Sequence, residues 1–188
     1  MFNIHLISTV TQRLLSFLAK FCDQEFYERQ IAQRIGIAYG SANRALNQLY
    51  STGAIRRRKE GKMYFYSVDS SNSAIVELKK LVNMMLIESL IQDLKALAHR
   101  IILYGSCAQG TDTSQSDLDL FIVSDNREQV MQVIEDVAFP RGFEDIHIQA
   151  VIKSPVELLE AGESEQAFLA EVEQGIILWE RAANEPRL

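Results

Sequence analysis

Apolar residues in the first fifty positions recur at helical spacing and predict three helices. In the first helix, residues at steps of three and four fall on one face: Ile7, Val10, Leu14, Leu15, Leu18 and Phe21. The second helix spans residues 28–35 and ends at Gly36, because glycine favours the end of a helix over its interior. The third begins near Ser41, continues to Tyr50 and ends at 51–53, Ser-Thr-Gly.

After the third helix the pattern changes to short extended runs. Residues 55–58 and 63–68 flank a turn at 59–62 that contains a glycine, so they predict a β-hairpin. From the polar residues 69–73 to about Leu97 the spacing is helical again. The middle of this helix, Leu81 to Leu90, is apolar nearly all round. Such a helix is normally buried on more than one side, so it connects two modules, dimerises, or does both.

The second half alternates short apolar strands with helices. We predict strands at 101–104, 118–123, 145–152 and 176–179, and helices at 127–137, 156–160 and 165–173. No run approaches the roughly 20 unbroken apolar residues that cross a bilayer, so we expect no membrane partner. We interpret Met1 to Lys20 as a folded helix rather than a signal peptide, because charged residues interrupt it and no cleavage site follows.

The net charge of −6 conceals two oppositely charged halves. Residues 1–70 hold ten basic and five acidic side chains, a net charge of +5, whereas residues 71–188 hold nine and twenty, a net charge of −11. This asymmetry favours two modules with different partners, although chance unevenness is the alternative. Cys22 and Cys107 lie far apart without zinc-type spacing, which is typical of a reduced, cytoplasmic protein.

The front module has the order helix, glycine turn, helix, basic hairpin. This order, with the run Ile31 to Ile37, resembles the winged helix-turn-helix family, in which Ala32 would let two helices approach and Gly36 would supply the turn. The resemblance covers about residues 1–70 and implies that the helix from Ser41 enters the major groove of DNA. A helical bundle with a solvated basic hairpin, or a winged helix that makes only protein contacts, is the alternative.

Two sets of polar residues would then face DNA. Outward residues of the third helix could donate to phosphates or read base edges: Ser41, Asn43, Arg44, Asn47 and Gln48. Basic residues of the hairpin would lie against phosphate or in the minor groove: Arg56, Arg57, Arg58, Lys59 and Lys62.

The back module carries the candidate chemistry in residues 104–119. Gly105 lets the backbone turn sharply after a strand and approach a phosphate, which Ser106 and Ser116 could also contact. Asp117 and Asp119 are two apart on a predicted strand, so their carboxylates point the same way. Paired carboxylates suit Mg²⁺, which prefers oxygen ligands and usually retains substrate phosphates among them. We therefore predict a nucleotide-phosphate site with Asp117 and Asp119 as catalytic metal ligands.

The sequence strand, Gly-Ser, loop, Asp-x-Asp resembles the minimal nucleotidyltransferases of the polymerase-β superfamily over about residues 75–180. The resemblance implies Mg²⁺-dependent transfer of a nucleoside monophosphate from a nucleoside triphosphate to an acceptor. Because so short a chain leaves little room for acceptor recognition, that acceptor would be another macromolecule, such as a protein or an RNA.

Two positions depart from the pattern of this family. Catalytic members usually add a third carboxylate from a later strand, and alignment of the strand exit places the neutral Gln149 there. Asp145 and His147 share the same face by alternation, and either could substitute; Asp145 lies near the predicted strand start, and a half-buried structural role is the alternative for His147. Gln109 also stands where many relatives carry an arginine. Nucleotide and metal binding are therefore better supported than turnover.

The predicted fold is α+β, with a winged helix-turn-helix domain at 1–70, a long connecting helix at 71–98 and a small mixed-sheet nucleotidyltransferase domain at 99–188. One hypothesis is a DNA-binding enzyme that transfers a nucleoside monophosphate. The other is a transcription regulator that binds its operator as a homodimer and whose nucleotidyltransferase domain binds or senses nucleotide without turnover. The sequence leaves open the acceptor, the nucleotide base, the operator and the oligomeric state.

Overall fold

The computed structural model describes residues 9–160 and 162–181. Its front part contains three helices and three strands: α1 (Val10–Lys20), β1 (Phe26–Tyr27), α2 (Glu28–Ile35), α3 (Tyr39–Ser51), β2 (Arg56–Glu60) and β3 (Met63–Ser67). The strands form an antiparallel sheet in the order β1-β3-β2. Helices α2 and α3 followed by a hairpin are the arrangement of a winged helix-turn-helix, as predicted.

Local chemistry accounts for the ends of the front helices. The Thr9 hydroxyl accepts a hydrogen bond from the Gln12 N–H, and the Gln12 side chain accepts one from the Thr9 N–H, which completes a capping box for α1. Helix α2 ends at Gly36, whose φ of 66° lies in the left-handed region that glycine favours. The hairpin turn is tighter than predicted, because Glu60 and Met63 already pair across it. Ile7, the start of the predicted apolar face, lies outside the described residues.

The predicted connecting helix consists of two helices, α4 (Ser73–Leu86) and α5 (Glu88–Leu94), with an interruption at Ile87. The Asn72 side chain caps α4 by accepting a hydrogen bond from the Ala74 N–H. Within the stretch from Leu81 to Leu90, most apolar side chains are buried inside this chain, and Leu81 is an exception at 41% exposure. Internal burial thus accounts for the apolar stretch without a second copy, and the homodimer stays a prediction.

In the described residues, the back part contains one mixed sheet and four further helices. Its elements are β4 (Arg100–Tyr104), α6 (Gly105–Gln109), β5 (Leu118–Val123), α7 (Arg127–Glu135), β6 (Ile148–Lys153), α8 (Pro155–Leu159), α9 (Glu163–Val172) and β7 (Ile176–Glu180), with α5 packed beside α7. The strand order is β6-β5-β4-β7, and β5 and β6 are the parallel pair. The third strand was predicted from Asp145, but it begins at Ile148, because residues 145–147 belong to the preceding loop.

A continuous hydrophobic core runs from the front helices to the back sheet. It includes Phe17 of α1, Leu46 of α3, Leu86 of α4, and Leu103 and Ile122 of the sheet. Helix α4 contacts both α1 and α6, so it lies between the winged helix-turn-helix fold and the start of the candidate site. No helix in the described ranges is long and apolar enough to cross a membrane.

Candidate functional site

The site forms where β4 ends and β5 begins. These strands are antiparallel and pair Tyr104 with Asp119, so Gly105 follows directly beside the Asp119 carboxylate. Gly105 has a φ of 67°, and a Cβ at this position would lie 2.7 Å from Oδ2 of Asp119. Glycine is therefore required both by the backbone conformation and by the space that the carboxylate occupies. The structure thus brings the predicted Gly105 and Asp119 together, and the site that they form with Asp117 is called the cradle.

Asp117 and Asp119 give this cradle its negative charge. Asp117 immediately precedes β5 and Asp119 is its second residue, and both side chains are half-buried. Burial raises the pKa of Asp119 above its ordinary value, and the negative charges of Asp117 and Glu171 raise it further. Among the described residues, neither carboxylate has a basic partner within ion-pair distance. An uncompensated pair of carboxylates fits a divalent cation.

The protein side of such a cation site is incomplete. Within the described ranges, no three His, Cys, Asp or Glu side chains cluster closely enough to hold a metal ion by themselves. A hard cation bound by Asp117 and Asp119 would take its remaining oxygen ligands from substrate phosphates and water, which is the usual pattern for Mg²⁺. The residues present fit a metal that arrives with a nucleotide.

Two predicted phosphate ligands have different surroundings. Ser106 is half-buried in the first turn of α6, directly after the Gly105 cradle. Ser116 stabilises the turn before Asp117, because its Oγ accepts a hydrogen bond of 3.0 Å from the Thr113 N–H. The acceptor role leaves the Ser116 hydroxyl proton available to donate. Of the two serines, Ser106 is thus the one that directly follows Gly105 in the chain.

The neighbouring strand β6 places Gln149 in register with Asp119. The Leu118 N–H donates to the His147 carbonyl over 2.9 Å, which places His147 beside Asp117 at the start of the same ladder. In-register residues of adjacent parallel strands lie about 4.8 Å apart on the same face. Gln149 and His147 therefore border the two aspartates, and a neutral amide stands beside Asp119.

The structure changes what the sequence predicts about two acidic residues, Asp145 and Glu171. Asp145 lies in the loop before β6, where its carboxylate is 3.8 Å from the Arg34 guanidinium of α2, so it does not share the strand face. Sequence reasoning missed Glu171 of α9. Burial is the largest cause of the raised pKa values of Asp119 and Tyr104, and the negative charge of Glu171 raises both pKa values further. Helix α9 lies near the site because the Phe168 ring packs 5.6 Å from that of Tyr104.

The second candidate surface lies on the hairpin, where Arg57 is held between aromatic rings. Its guanidinium carbon lies 3.9 Å from the ring centre of Tyr50 and 4.5 Å from that of Tyr64. Its Nη1 donates to the Asn47 side chain of α3 over 3.2 Å. Lys59 lies over the same Tyr64 ring at 5.9 Å. The hairpin and α3 therefore present one continuous basic and aromatic surface.

The neighbouring arginines are engaged by carboxylates of this chain. Arg58 pairs with Glu25 and Glu60, each at 2.6 Å, and these contacts raise its pKa above the ordinary value. Arg56 pairs with Asp69. Of the predicted DNA-facing residues of the hairpin, Arg57 and Lys59 thus lie on the face of α3, and Arg56 and Arg58 alternate to the other face.

The predicted residues of α3 are exposed or half-exposed. Arg44, Asn47 and Gln48 are exposed, whereas Ser41 and Asn43 are half-buried. The Asn47 amide donates to the Asn43 carbonyl over 2.9 Å, which orders these two side chains along the helix. Lys62 is exposed in the hairpin turn. The surface that could meet DNA therefore runs from α3 to the tip of the hairpin.

Comparison with known proteins found two similar solved structures and one matching family. Reduced HlyU from Vibrio cholerae N16961 is similar at 24% identity over 42% of this chain and 75% of that chain, with a TM-score of 0.31. A Sulfolobus solfataricus protein classed as a nucleotidyltransferase is similar at 13% identity over 60% of this chain and 94% of that chain, with a TM-score of 0.34. The family described as Polymerase beta, Nucleotidyltransferase matches residues 85–184, more than half of the sequence. The chain belongs to the polymerase beta nucleotidyltransferase family.

Proposed function

We propose that the protein binds a nucleoside triphosphate with Mg²⁺ at the cradle and transfers a nucleoside monophosphate to an acceptor. One observation carries the proposal: the Gly105 backbone lies directly against the carboxylate of Asp119, with Asp117 two residues away. A phosphate that approaches the glycine backbone must therefore also approach the two carboxylates. A bridging cation makes that approach favourable, which supports a metal–nucleotide complex as the ligand.

The residues of the cradle have separate roles in this proposal. Asp117 and Asp119 hold the metal, while the N–H groups after Gly105 and the Ser106 hydroxyl hold phosphate oxygens. Bound Mg²⁺ supplies neutralisation of the charge that develops at the α-phosphate as pyrophosphate leaves. Ser116 orders the turn that aims Asp117. Directly before β6, His147 is the candidate to accept the proton of the acceptor hydroxyl, because the amide of Gln149 cannot.

We also propose that the front part binds DNA through α3 and the hairpin. The support is the Arg57 side chain, which two tyrosine rings and Asn47 hold in place between the two elements. A preorganised cation loses less conformational freedom on binding phosphate than a mobile one does. The exposed Arg44, Lys59 and Lys62 extend the positive surface.

A transcription regulator that senses nucleotide without transfer is the second candidate. The register of Asp119 with the neutral Gln149 favours it, because the strand that borders the metal pair offers no third carboxylate at that position. In such a regulator, nucleotide and DNA change each other's affinity by the same factor. Independent affinities would argue against it.

A transfer assay separates the enzyme from the regulator. The protein is incubated with Mg²⁺, a cell extract and each of the four nucleoside triphosphates labelled at the α-phosphate. Label transfer that is absent from the Asp117→Ala/Asp119→Ala variant supports the enzyme. The Gln149→Asp variant supplies a carboxylate beside Asp119, so we expect it to transfer label faster. Metal-dependent binding without transfer for all four nucleotides, in this variant as well, would support the regulator.

A DNA-binding assay uses two neighbouring arginines as a matched pair. Affinity for a random-sequence duplex is measured from low to high salt for Arg57→Ala and Arg58→Ala. Each phosphate contact contributes about 0.9 to the slope of log affinity against log salt, so loss of Arg57 reduces the slope by about one. Arg58 is already paired with Glu25 and Glu60, and we expect its removal to change the slope little. Equal effects of the two variants would exclude Arg57 as the specific anchor.

A further inference from the structure

A buried polar cluster joins the DNA-binding fold to the nucleotide cradle. Lys20 at the end of α1, Lys79 and Asn83 on α4, and Asp112 after α6 are each at most 1% exposed. The Lys20 Nζ lies 2.9 Å from Asp112 Oδ2 and 2.8 Å from Asn83 Oδ1. Lys79 donates to the Asp112 carbonyl and lies 3.5 Å from its Oδ1. Three parts of the chain that are distant in sequence therefore share one set of hydrogen bonds.

The cluster contains two lysines but only one aspartate. Lys79 already lies within ion-pair distance of Asp112, so Lys20 is not needed to compensate the aspartate charge. A second buried ammonium adds a desolvation penalty. It also donates to Asp112 Oδ2 and Asn83 Oδ1, which would lose this donor if an apolar side chain replaced it. Charge balance within the cluster thus does not by itself explain Lys20 at this position.

The contacts of Lys20 connect it to both segments of the cradle, the phosphate-binding turn at the start of α6 and the loop that carries Asp117. Its Nζ lies 3.7 Å from the Sγ of Cys107, the residue that follows Ser106 in α6. The same Sγ donates to the Asp117 carbonyl over 3.2 Å, and Asn83 Nδ2 donates to the Cys107 carbonyl over 3.0 Å. The phosphate-binding turn and the metal-binding loop are thus connected through one thiol that Lys20 contacts.

A second contact from the front part reaches the same loop. The Asp23 carboxylate, three residues after α1, accepts hydrogen bonds from the Ser114 N–H over 2.9 Å and the Ser114 hydroxyl over 2.7 Å. Burial opposes ionisation of Asp23, but these hydrogen bonds outweigh it and lower the pKa of the carboxyl below its ordinary value. Two separate side chains near the end of α1 therefore hold the loop that leads to Asp117.

We propose that Lys20 is a positioning residue of the nucleotide site, so that the DNA-binding fold completes a site in the nucleotidyltransferase fold. Through Asp112 and Cys107, Lys20 fixes the distance between the phosphate-binding turn and Asp117. This inference rests on the proposed function, because it assumes that the cradle binds nucleotide. Because α1 packs against α3, the same contacts would connect α3 to the nucleotide site through Lys20, Asp112 and Cys107.

The test compares Lys20→Met with Lys79→Met. Both variants remove one buried ammonium, but Lys79 contacts Cys22 at 3.4 Å rather than Cys107. Affinity for Mg²⁺ with each nucleoside triphosphate is measured by calorimetry, and the melting temperature is measured in parallel. We expect both variants to melt below the wild type, because each removes a donor to a buried acceptor, and Lys20→Met to bind its nucleotide about tenfold more weakly, with a smaller loss for Lys79→Met. A merely structural role would lower the melting temperature and leave the affinity of the folded fraction unchanged.

Cys107 provides a second pair of variants that does not change a charge. Cys107→Ala removes the group that donates to the Asp117 carbonyl, whereas Cys107→Ser retains a donor. We expect weaker nucleotide binding for alanine and recovery for serine, and this pair decides the matter if Lys20→Met does not fold. Unchanged affinity in the alanine variant, or equal losses for the two lysine variants, would overturn this inference but leave the proposed function standing. A wild-type protein that binds none of the four nucleotides would overturn the proposed function and the inference together.

Discussion

Asp119→Asn is expected to stabilise the protein in the absence of metal. The change removes one negative charge from the Asp117–Asp119 pair and preserves the shape of the side chain. Burial, the Asp117 charge and the Glu171 charge all disfavour the ionised form of Asp119. At neutral pH that ionised form therefore reduces the free energy of unfolding, and its replacement by a neutral amide restores the lost stability.

The magnitude follows from the spacing of the two carboxylates. Alternate residues of an extended segment lie about 6.6 Å apart, which gives a repulsion of about 0.6 to 2.5 kcal/mol for effective dielectric constants of about 80 and 20. Because both side chains are half-exposed and screened by solvent, we expect about 1 kcal/mol. For a chain of this size that corresponds to an increase of about 2–4 °C in melting temperature.

The measurement is thermal unfolding by circular dichroism at low salt across a pH series. A raised pKa in the folded state means that wild-type stability declines as pH rises from the ordinary aspartate pKa through the folded value, then levels off. The advantage of Asp119→Asn therefore appears over that interval and vanishes in acid, where the wild-type carboxyl is protonated. Asp93→Asn, an exposed aspartate of α5 far along the chain from this pair, serves as the control and should change little.

Addition of Mg²⁺ gives the complementary readout. Binding to the folded state alone raises stability, so the wild type should gain more from Mg²⁺ than Asp119→Asn does. Equal melting temperatures for the two proteins at pH 7, or a difference that persists unchanged in acid, would refute the reasoning. Either result would mean that the aspartates are not an ionised, mutually repelling pair in the folded protein.

Three further outcomes are expected. Gly105→Ala should destabilise the fold by about 1–2 kcal/mol more than Gly53→Ala in chemical denaturation, because both residues have positive φ but only a Cβ at Gly105 meets a carboxylate. Ser114→Ala should raise the pKa of Asp23, measured by NMR, and reduce stability by about 0.5 kcal/mol at pH 7; this loss disappears as pH falls through the folded pKa. Burial raises the pKa of Cys107 to about 11, so iodoacetamide at pH 8 should modify it in the unfolded but not the folded protein, as peptide mass spectrometry can show.

Elements with a strong local signal could be predicted from the sequence. The boundaries 28–35 of α2 and 118–123 of β5 agree with the structure, because helical spacing ended by Gly36 and a continuous apolar run are local properties. The two-residue β1 was missed, since two positions carry no period. The interruption at Ile87 was also missed, because no proline or glycine marks it in the sequence.

The same distinction holds for the candidate site. The motif that resembles the nucleotidyltransferases assigned Gly105 and Asp119 to one site. The same resemblance, with the strand exit, assigned Gln149 to the position of the third carboxylate, and the structure has Gln149 in register with Asp119. Nothing local could pair Lys20 with Asp112, which lies 92 positions later. At the end of an amphipathic helix a lysine is expected to be a solvated cation, and only the tertiary fold buries it.

The buried cluster that spans α1 and the back sheet affects how such a chain can evolve. Because Phe17 and Leu103 belong to one buried cluster, cutting the chain between them would expose apolar surface on both fragments. Heat should therefore melt the described residues in one cooperative transition rather than two. Recombination that replaces only the winged helix-turn-helix half would need matching substitutions along α4. The proposed DNA surface on α3 and the hairpin lies outside this cluster, so point substitutions there could change it and leave the shared core intact.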